Sequence, residues 1–154
     1  MYVLSVLLLM VVLPVLSIGV EHSYLHSALP LMSLVGKWFV FWSAGIRVFF
    51  AGLRQLFQPR FTAEQILGIR SEGSLLFVRE LGAANLGTGI VGIASLARPS
   101  FVLPAAVAAA VFFGIVGIRH ATDRCRTRNQ NIALITNLFL FLVLVAYIGF
   151  VALA

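Results

Sequence analysis

The chain has 154 residues, 61% of them hydrophobic and 10% charged, whereas soluble domains carry about 25% charged residues. That excludes a water-soluble domain and makes lipid the solvent for most of the chain, with room for one bundle of four or five spanning helices of ~20 residues and for no second domain. The net charge of +6 comes from basic residues scattered between apolar runs, which points to loops facing anionic headgroups and not to nucleic acid.

The first apolar run, residues 2–20, is free of charge until Glu21 and contains Pro14 and Gly19, both tolerable inside a spanning helix. It lacks the basic start of a signal peptide and is longer than the usual apolar stretch of one, so it reads as a retained helix. The second run, residues 33–57, closes at Pro59, which disfavours helical angles at Gln58. Between it and the third run, Thr62-Ala63-Glu64-Gln65 has the form of a capping box, and Ile66, Leu67 and Ile69 give the helix expected near 63–70 an apolar side, so it is placed flat at the interface. The third, fourth and fifth runs cover residues 73–97, 101–118 and 132–153. Arg98 and Pro99 leave only a short turn between the third and fourth, which makes those two expected antiparallel neighbours.

The fold class expected is therefore an all-α membrane protein, a single bundle of five transmembrane helices. With five spans, the N-terminus and the loops 58–72 and 119–131 share one side, which carries Arg54, Arg60, Arg70, Arg119, Arg124, Arg126 and Arg128, against Lys37 and Arg98 on the other. The positive-inside rule then puts the chain in the cell's inner membrane with the N-terminus cytoplasmic and the C-terminus outside. The third helix, ELGAANLGTGIVGIAS, pairs Ala83 with Gly87, Ala84 with Thr88, Asn85 with Gly89 and Thr88 with Gly92, small on nearly every side, which suits a central helix. The fourth repeats the device with Ala106, Ala110 and Gly114, and the bulky fifth is expected at the periphery.

Polar groups inside the runs are sorted by depth. Arg47 lies ten residues before Phe57, or ~15 Å from the cytoplasmic end of its helix, and Glu80 lies seven residues after Gly73, or ~10 Å from the same surface. A lone charge at the bilayer centre costs at least about 2.5 kcal/mol, and such groups pair inside bundles. Glu80 is therefore expected to meet Arg47, Arg54 or both, the two arginines being seven residues apart on one face. Asn85, His120 and Asn137 fall at similar depth, so a polar core of Arg47, Arg54, Glu80, Asn85, His120 and Asn137 is expected in the cytoplasmic half. It is either a binding pocket or a static ion pair fixing helix register with asparagines as interhelical bridges. Arg79 is expected to snorkel to the headgroups.

On the opposite side, His22 and His26 are four apart and would share a helix face for one metal or haem iron if the stretch were helical. Without a third ligand they read first as interfacial histidines, beside the belt aromatics Tyr24, Trp38 and Trp42. Cys125, the sole cysteine, excludes an intrachain disulfide and leaves a thiol in an arginine-rich loop. No serine, cysteine, zinc or phosphate-loop catalytic pattern is present.

The stretch AGIRVFFAGLRQLF, a loop with Pro59, and RELGAANLGTGIVGIASLARP together resemble the DoxX-like superfamily of small bacterial integral membrane proteins over roughly residues 37–153. The likeness places Gly45, Ala51, Gly52, Arg54 and Leu56 on a first-helix motif, with Arg54 where a lysine is common, and Glu80 and the glycines from Gly82 to Gly92 on a second. Such proteins are four-helix bundles, so the helix at 2–20 is an addition, and most have no assigned activity. The resemblance implies a membrane subunit, in some members linked to quinone-dependent sulfur oxidation or redox homeostasis.

Residues and resemblance together lead to a non-catalytic membrane subunit or small-molecule-binding bundle, with the bilayer, a membrane-protein partner or a second copy as partners. The alternatives are a subunit of a quinone-linked oxidoreductase, with quinone near His120 or His22, and a small-anion transporter using Arg47. A discontinuous helix would favour the transporter, and the stretch Gly87 to Gly92 is the one weak candidate for it.

Overall fold

The computed structural model describes residues 2–122 and 128–154, and among these the chain is all helical, with no strand. Four helices are long and apolar enough to cross a membrane: α1, Val3–Ser23; α2, Leu31–Phe57; α5, Val102–Thr122, entered through a short turn at Pro99–Phe101; and α6, Arg128–Leu153. Two more complete the chain, a short α3 over residues 59–66 and the 21-residue α4, Ser74–Ala94. α4 is long enough to span. Arg79, Glu80, Asn85 and its glycines lower its apolar character.

α1 and α2 are joined by a seam of side chains. Leu8–Val12 is π-helical and leads into Pro14, whose ring nitrogen offers no donor to the carbonyl four residues back. A π turn shifts amide donors by one carbonyl, and the Leu9 carbonyl here accepts from the Ser43 hydroxyl at 3.3 Å. Ser43 is itself fully buried and lies in a second π-helical stretch, Val40–Arg47. About two turns further along α1, Trp42 donates its indole N–H to Ser17 Oγ at 3.0 Å. The opposite face of α1 points outwards, with Leu4, Leu8, Val15, Leu16 and Val20 exposed, as a lipid-facing helix requires.

α4 packs on the second half of α2 with the backbones almost touching. A Cβ at Gly92 would lie 2.6 Å from Gly45 Cα, one at Gly45 would lie 2.8 Å from the Gly92 carbonyl carbon, and one at Gly52 would lie 2.7 Å from the Gly82 oxygen. Only glycine permits that approach, and close approach supplies the dispersion attraction that binds helices where lipid removes the hydrophobic drive. The buried stripe of α4 is Val78, Gly82, Asn85, Gly89 and Gly92. Its other faces are open: Ala83, Ala84 and Gly87 are not covered, and nothing lies within 4 Å of a Cβ at Gly87. The central position expected for this helix is thus not the one it takes, because being small on every side does not decide which sides find partners.

The centre belongs to α2, α5 and α6. Phe113, Leu140, Leu144, Val40, Ala44 and Met10 are fully buried in one cluster, and the bulky α6, expected at the edge, contributes Leu140, Leu144 and Tyr147 to it. Gly114 and Gly117 of α5 receive Phe141 and Leu138 of α6, and Gly36 of α2 receives the Tyr147 ring. α4 and α5 are antiparallel neighbours as expected, in light contact, with a crevice left between them.

α3 also departs from expectation. It starts at Pro59, placed at the first helical position where its missing N–H is no loss, so Thr62 falls inside the helix and makes no cap bond. Gly68, at φ 72, then reverses the chain, a conformation that costs glycine nothing. A Cβ at Gly68 would lie 3.9 Å from the Gln130 amide, which puts loop 58–73 at the same end as the start of α6.

Candidate functional site

The antiparallel register of α2 and α4 decides the fate of the predicted polar core. Gly45 faces Gly92, Phe49 faces Gly89, and Gly52 faces Gly82 and Leu86. Continuing that register puts Arg47 level with Ile90 and Glu80 level with the last turn of α2. Ten residues of α-helix separate the two heights, ~15 Å, too far for a pair. α4 begins beyond the end of α2, so distances counted from each helix end do not share an origin. Azimuth adds a second reason: Glu80 lies two residues from both Val78 and Gly82, on the side of α4 turned away from α2, and it is exposed. Among the described residues the only ion pairs are Lys37 with Glu21 and Arg60 with Glu72, so the expected pairing of Glu80 with Arg47 or Arg54 is corrected.

The six predicted residues divide four ways. Arg47 turns to α5 and stands over the Phe113 ring, 5.4 Å from its centroid, a favourable place for a guanidinium among apolar helices. Asn85 is buried against α2, donating from Nδ2 to Gln55 Oε1 at 2.8 Å, with Gln55 equally buried. Interhelical bonds of this type contribute ~1 kcal/mol in a membrane. Arg54 is exposed and lies flat on Phe61, 3.5 Å from the ring centroid, while Glu80 faces outwards beyond it. His120 and Asn137 are buried between α5 and α6, the Asn137 Oδ1 with no hydrogen-bond partner among the described residues.

Asn85 and the Phe113 ring that Arg47 stands over both border the crevice between α4 and α5. It encloses about 130 Å³ and is lined by Val48, Ala84, Asn85, Thr88, Ala109 and Phe113 among others. One wall is thus the ring that carries Arg47, and another holds the Asn85 amide. Thr88 adds no free donor to it, since its hydroxyl is directed to the Ala84 carbonyl at 3.0 Å. Asn85 is the one predicted site residue lining the crevice, and Gln55, which orients it, went unnamed as a site residue. Its signal was present: Gln55 continues the stripe of Gly45, Val48 and Gly52 that faces α4.

The opposite end holds a charged cluster that counting loop charges also missed. Glu21 is 8% exposed and accepts from Lys37 Nζ at 2.8 Å on both carboxylate oxygens and from the Trp38 indole N–H at 2.7 Å. Three hydrogen bonds from two donors on one carboxylate tie the end of α1 to the start of α2. His22 and His26 do not form a ligand pair: α1 ends at Ser23, His26 takes φ 47, and both are exposed. Among the described residues no group of three or more metal-ligating side chains occurs. Cys125, Arg124 and Arg126 lie outside the described residues.

The positions that carried the DoxX-like resemblance also divide. Gly45, Gly52, Gly82 and Gly92 form the α2/α4 contact, whereas Arg54 and Glu80 face outwards. No curated protein and no solved structure matches the chain. A family model does match, over residues 1–154, and the chain belongs to the family it defines, DUF6790, a family of unknown function.

Proposed function

We propose that the protein is a non-catalytic integral membrane bundle of five spans that holds the tail of a lipid or isoprenoid molecule in the crevice between α4 and α5. The fifth span is α4, supported by its length of 21 residues and by its glycine-to-glycine contact along the second half of α2, from Gly82 to Gly92. The observation that carries the binding reading is the crevice itself, a slender apolar space of about 130 Å³ with one amide, Asn85, on its wall. A chain of methylene or isoprene units suits such a space. Glu80 has no part in this site. Nothing links the chain to the DoxX-like superfamily beyond the residues quoted, and the proposal does not draw on that resemblance.

The test is to fill the crevice. Ala84 lines it yet is exposed, so Ala84→Leu occludes the space without overpacking the α2 contact. Mass spectrometry of the extract from purified protein is expected to show a defined lipid or isoprenoid in the wild type and its loss, about tenfold, in Ala84→Leu. Equal retention by both would sink the proposal.

α4 is a continuous helix, so the break near Gly87 to Gly92 expected of an anion transporter is not there. For orientation, Arg54, Arg60, Arg70, Arg119 and Arg128 all stand at the end where α2 and α5 finish and α4 and α6 start. This supports a cytoplasmic N-terminus and an outward C-terminus under the positive-inside rule. A reporter fused after Ala154 is expected to be active only outside the cytoplasm, and cytoplasmic activity would overturn the five-span reading.

A further inference from the structure

A second hollow, of about 270 Å³, lies where α2 ends, walled by the turn into α3 and by the first two turns of α4. Arg60 stands on one wall and Arg79 on the other, with Phe57, Phe61 and Leu75 between them, and no carboxylate lines it. Arg54 does not line the hollow but stands over the ring of Phe61, which does. We propose that this hollow binds the phosphate of an anionic phospholipid, Arg60 and Arg79 closing on its oxygens and Phe57 resting against an acyl chain.

Three observations converge on that ligand. Guanidinium groups match phosphate oxygens two at a time, and here two of them face one space from different elements. Arg60 is engaged by Glu72 through one nitrogen, Nη2, at 2.6 Å. The rest of its fork faces no acid that lines the hollow, and the exposed bridge to Glu72 is a weak competitor. Beside the arginines lies an uncovered apolar surface: Phe57 is 79% exposed and Phe77, on α4, 70%. A free phosphate ion leaves that surface bare, whereas a phospholipid covers it and neutralises the arginines together. The hollow also sits at the level where α2 leaves its apolar stretch, the headgroup level of a spanning helix. The inference rests on membrane placement but not on the α4/α5 crevice, which lies on the other side of α4.

The experiment uses the full chain, delipidated in detergent and offered phosphatidylglycerol or phosphatidylcholine in mixed micelles, with retained lipid counted by native mass spectrometry. Wild type is expected to retain phosphatidylglycerol in preference to phosphatidylcholine. The double variant Arg60→Gln/Arg79→Gln is expected to lose that retention about tenfold, while Arg70→Gln/Arg119→Gln, which removes the same charge from the same end, stays within about twofold of wild type. Glu72→Gln is expected to raise retention, by freeing Arg60, and Ala84→Leu to leave the preference for phosphatidylglycerol over phosphatidylcholine unchanged, which separates this site from the crevice. All four arginines are exposed, so loss of fold does not confound the comparison. Equal losses in the two double variants would reduce the site to diffuse charge attraction, and displacement of the lipid by inorganic phosphate alone would make it a free-anion site. Either result overturns the proposal.

Discussion

Gly92→Val is expected to unfold the α2/α4 pair, and Gly87→Ala, five residues away on the same helix, to do the reverse. A Cβ at Gly92 would lie 2.6 Å from both the N and the Cα of Gly45, backbone atoms that cannot move aside as a side chain can. Overpacking of a tight contact costs about 1–3 kcal/mol, and an obstacle made of main chain belongs at or above the top of that range. Gly87 has nothing within 4 Å of its Cβ position, so alanine there only removes the entropic penalty of a mid-helix glycine, roughly 0.5–1 kcal/mol. Denaturation of the detergent-solubilised variants, followed by circular dichroism, reads both. If Gly92→Val proved as stable as Gly87→Ala, the register on which the corrected position of Glu80 depends would be wrong.

The second large effect is expected at the opposite end. Glu21→Ala leaves Lys37 and the Trp38 indole without their acceptor, in a place where the carboxylate is 11% and the lysine side chain 27% exposed. Removing one partner of a fully buried pair costs about 3–5 kcal/mol; with this lysine partly in reach of water the expected loss is nearer ~2 kcal/mol. The double variant Glu21→Leu/Lys37→Leu removes both charges and is expected to regain most of that stability, since a matched apolar pair is often as good as a buried ion pair. Trp38 fluorescence offers an independent reading, shifting to longer wavelength in Glu21→Ala as the end of α1 loosens. A double variant as unstable as the single one would show that packing, not charge, holds that corner.

Much of the fold was legible because lipid imposes it. A chain with so few charges resolves into apolar runs of spanning length, and Pro59 and Pro99 mark where they stop. The candidate site was less legible, for a reason that Arg47 and Glu80 make plain. Depth along each helix was read from its own end, but two helices share a depth scale only once their register is known, and register here is fixed by Gly45 meeting Gly92 and Gly52 meeting Gly82. Of the small-residue pairs in α4, Asn85 with Gly89 lies on the contacting face, while Ala83 with Gly87 has the same spacing and faces outwards. Spacing defines a face; it does not say which face has a partner. The glycines of α2 held the missing information, since Gly45 and Gly52 with Gln55 define a single stripe that only Val78, Gly82, Asn85, Gly89 and Gly92 can complement. Glu21 and Lys37 were legible as opposite charges on one side, and the indole of Trp38 next in sequence was the further sign that they are partners.

Arg47, about half-way along α2 and held over Phe113, also has an electrical meaning. In the proposed orientation it sits near the middle of the membrane, so a transmembrane voltage falls partly on either side of it. A full elementary charge crossing 100 mV is worth about 2.3 kcal/mol, so a charge half-way down feels ~1 kcal/mol. The arginines at the cytoplasmic end lie outside the field, and Glu21 with Lys37 cancel at the other end. In that orientation an inside-negative voltage pulls the Arg47 guanidinium towards the arginine-rich end and away from the Phe113 ring.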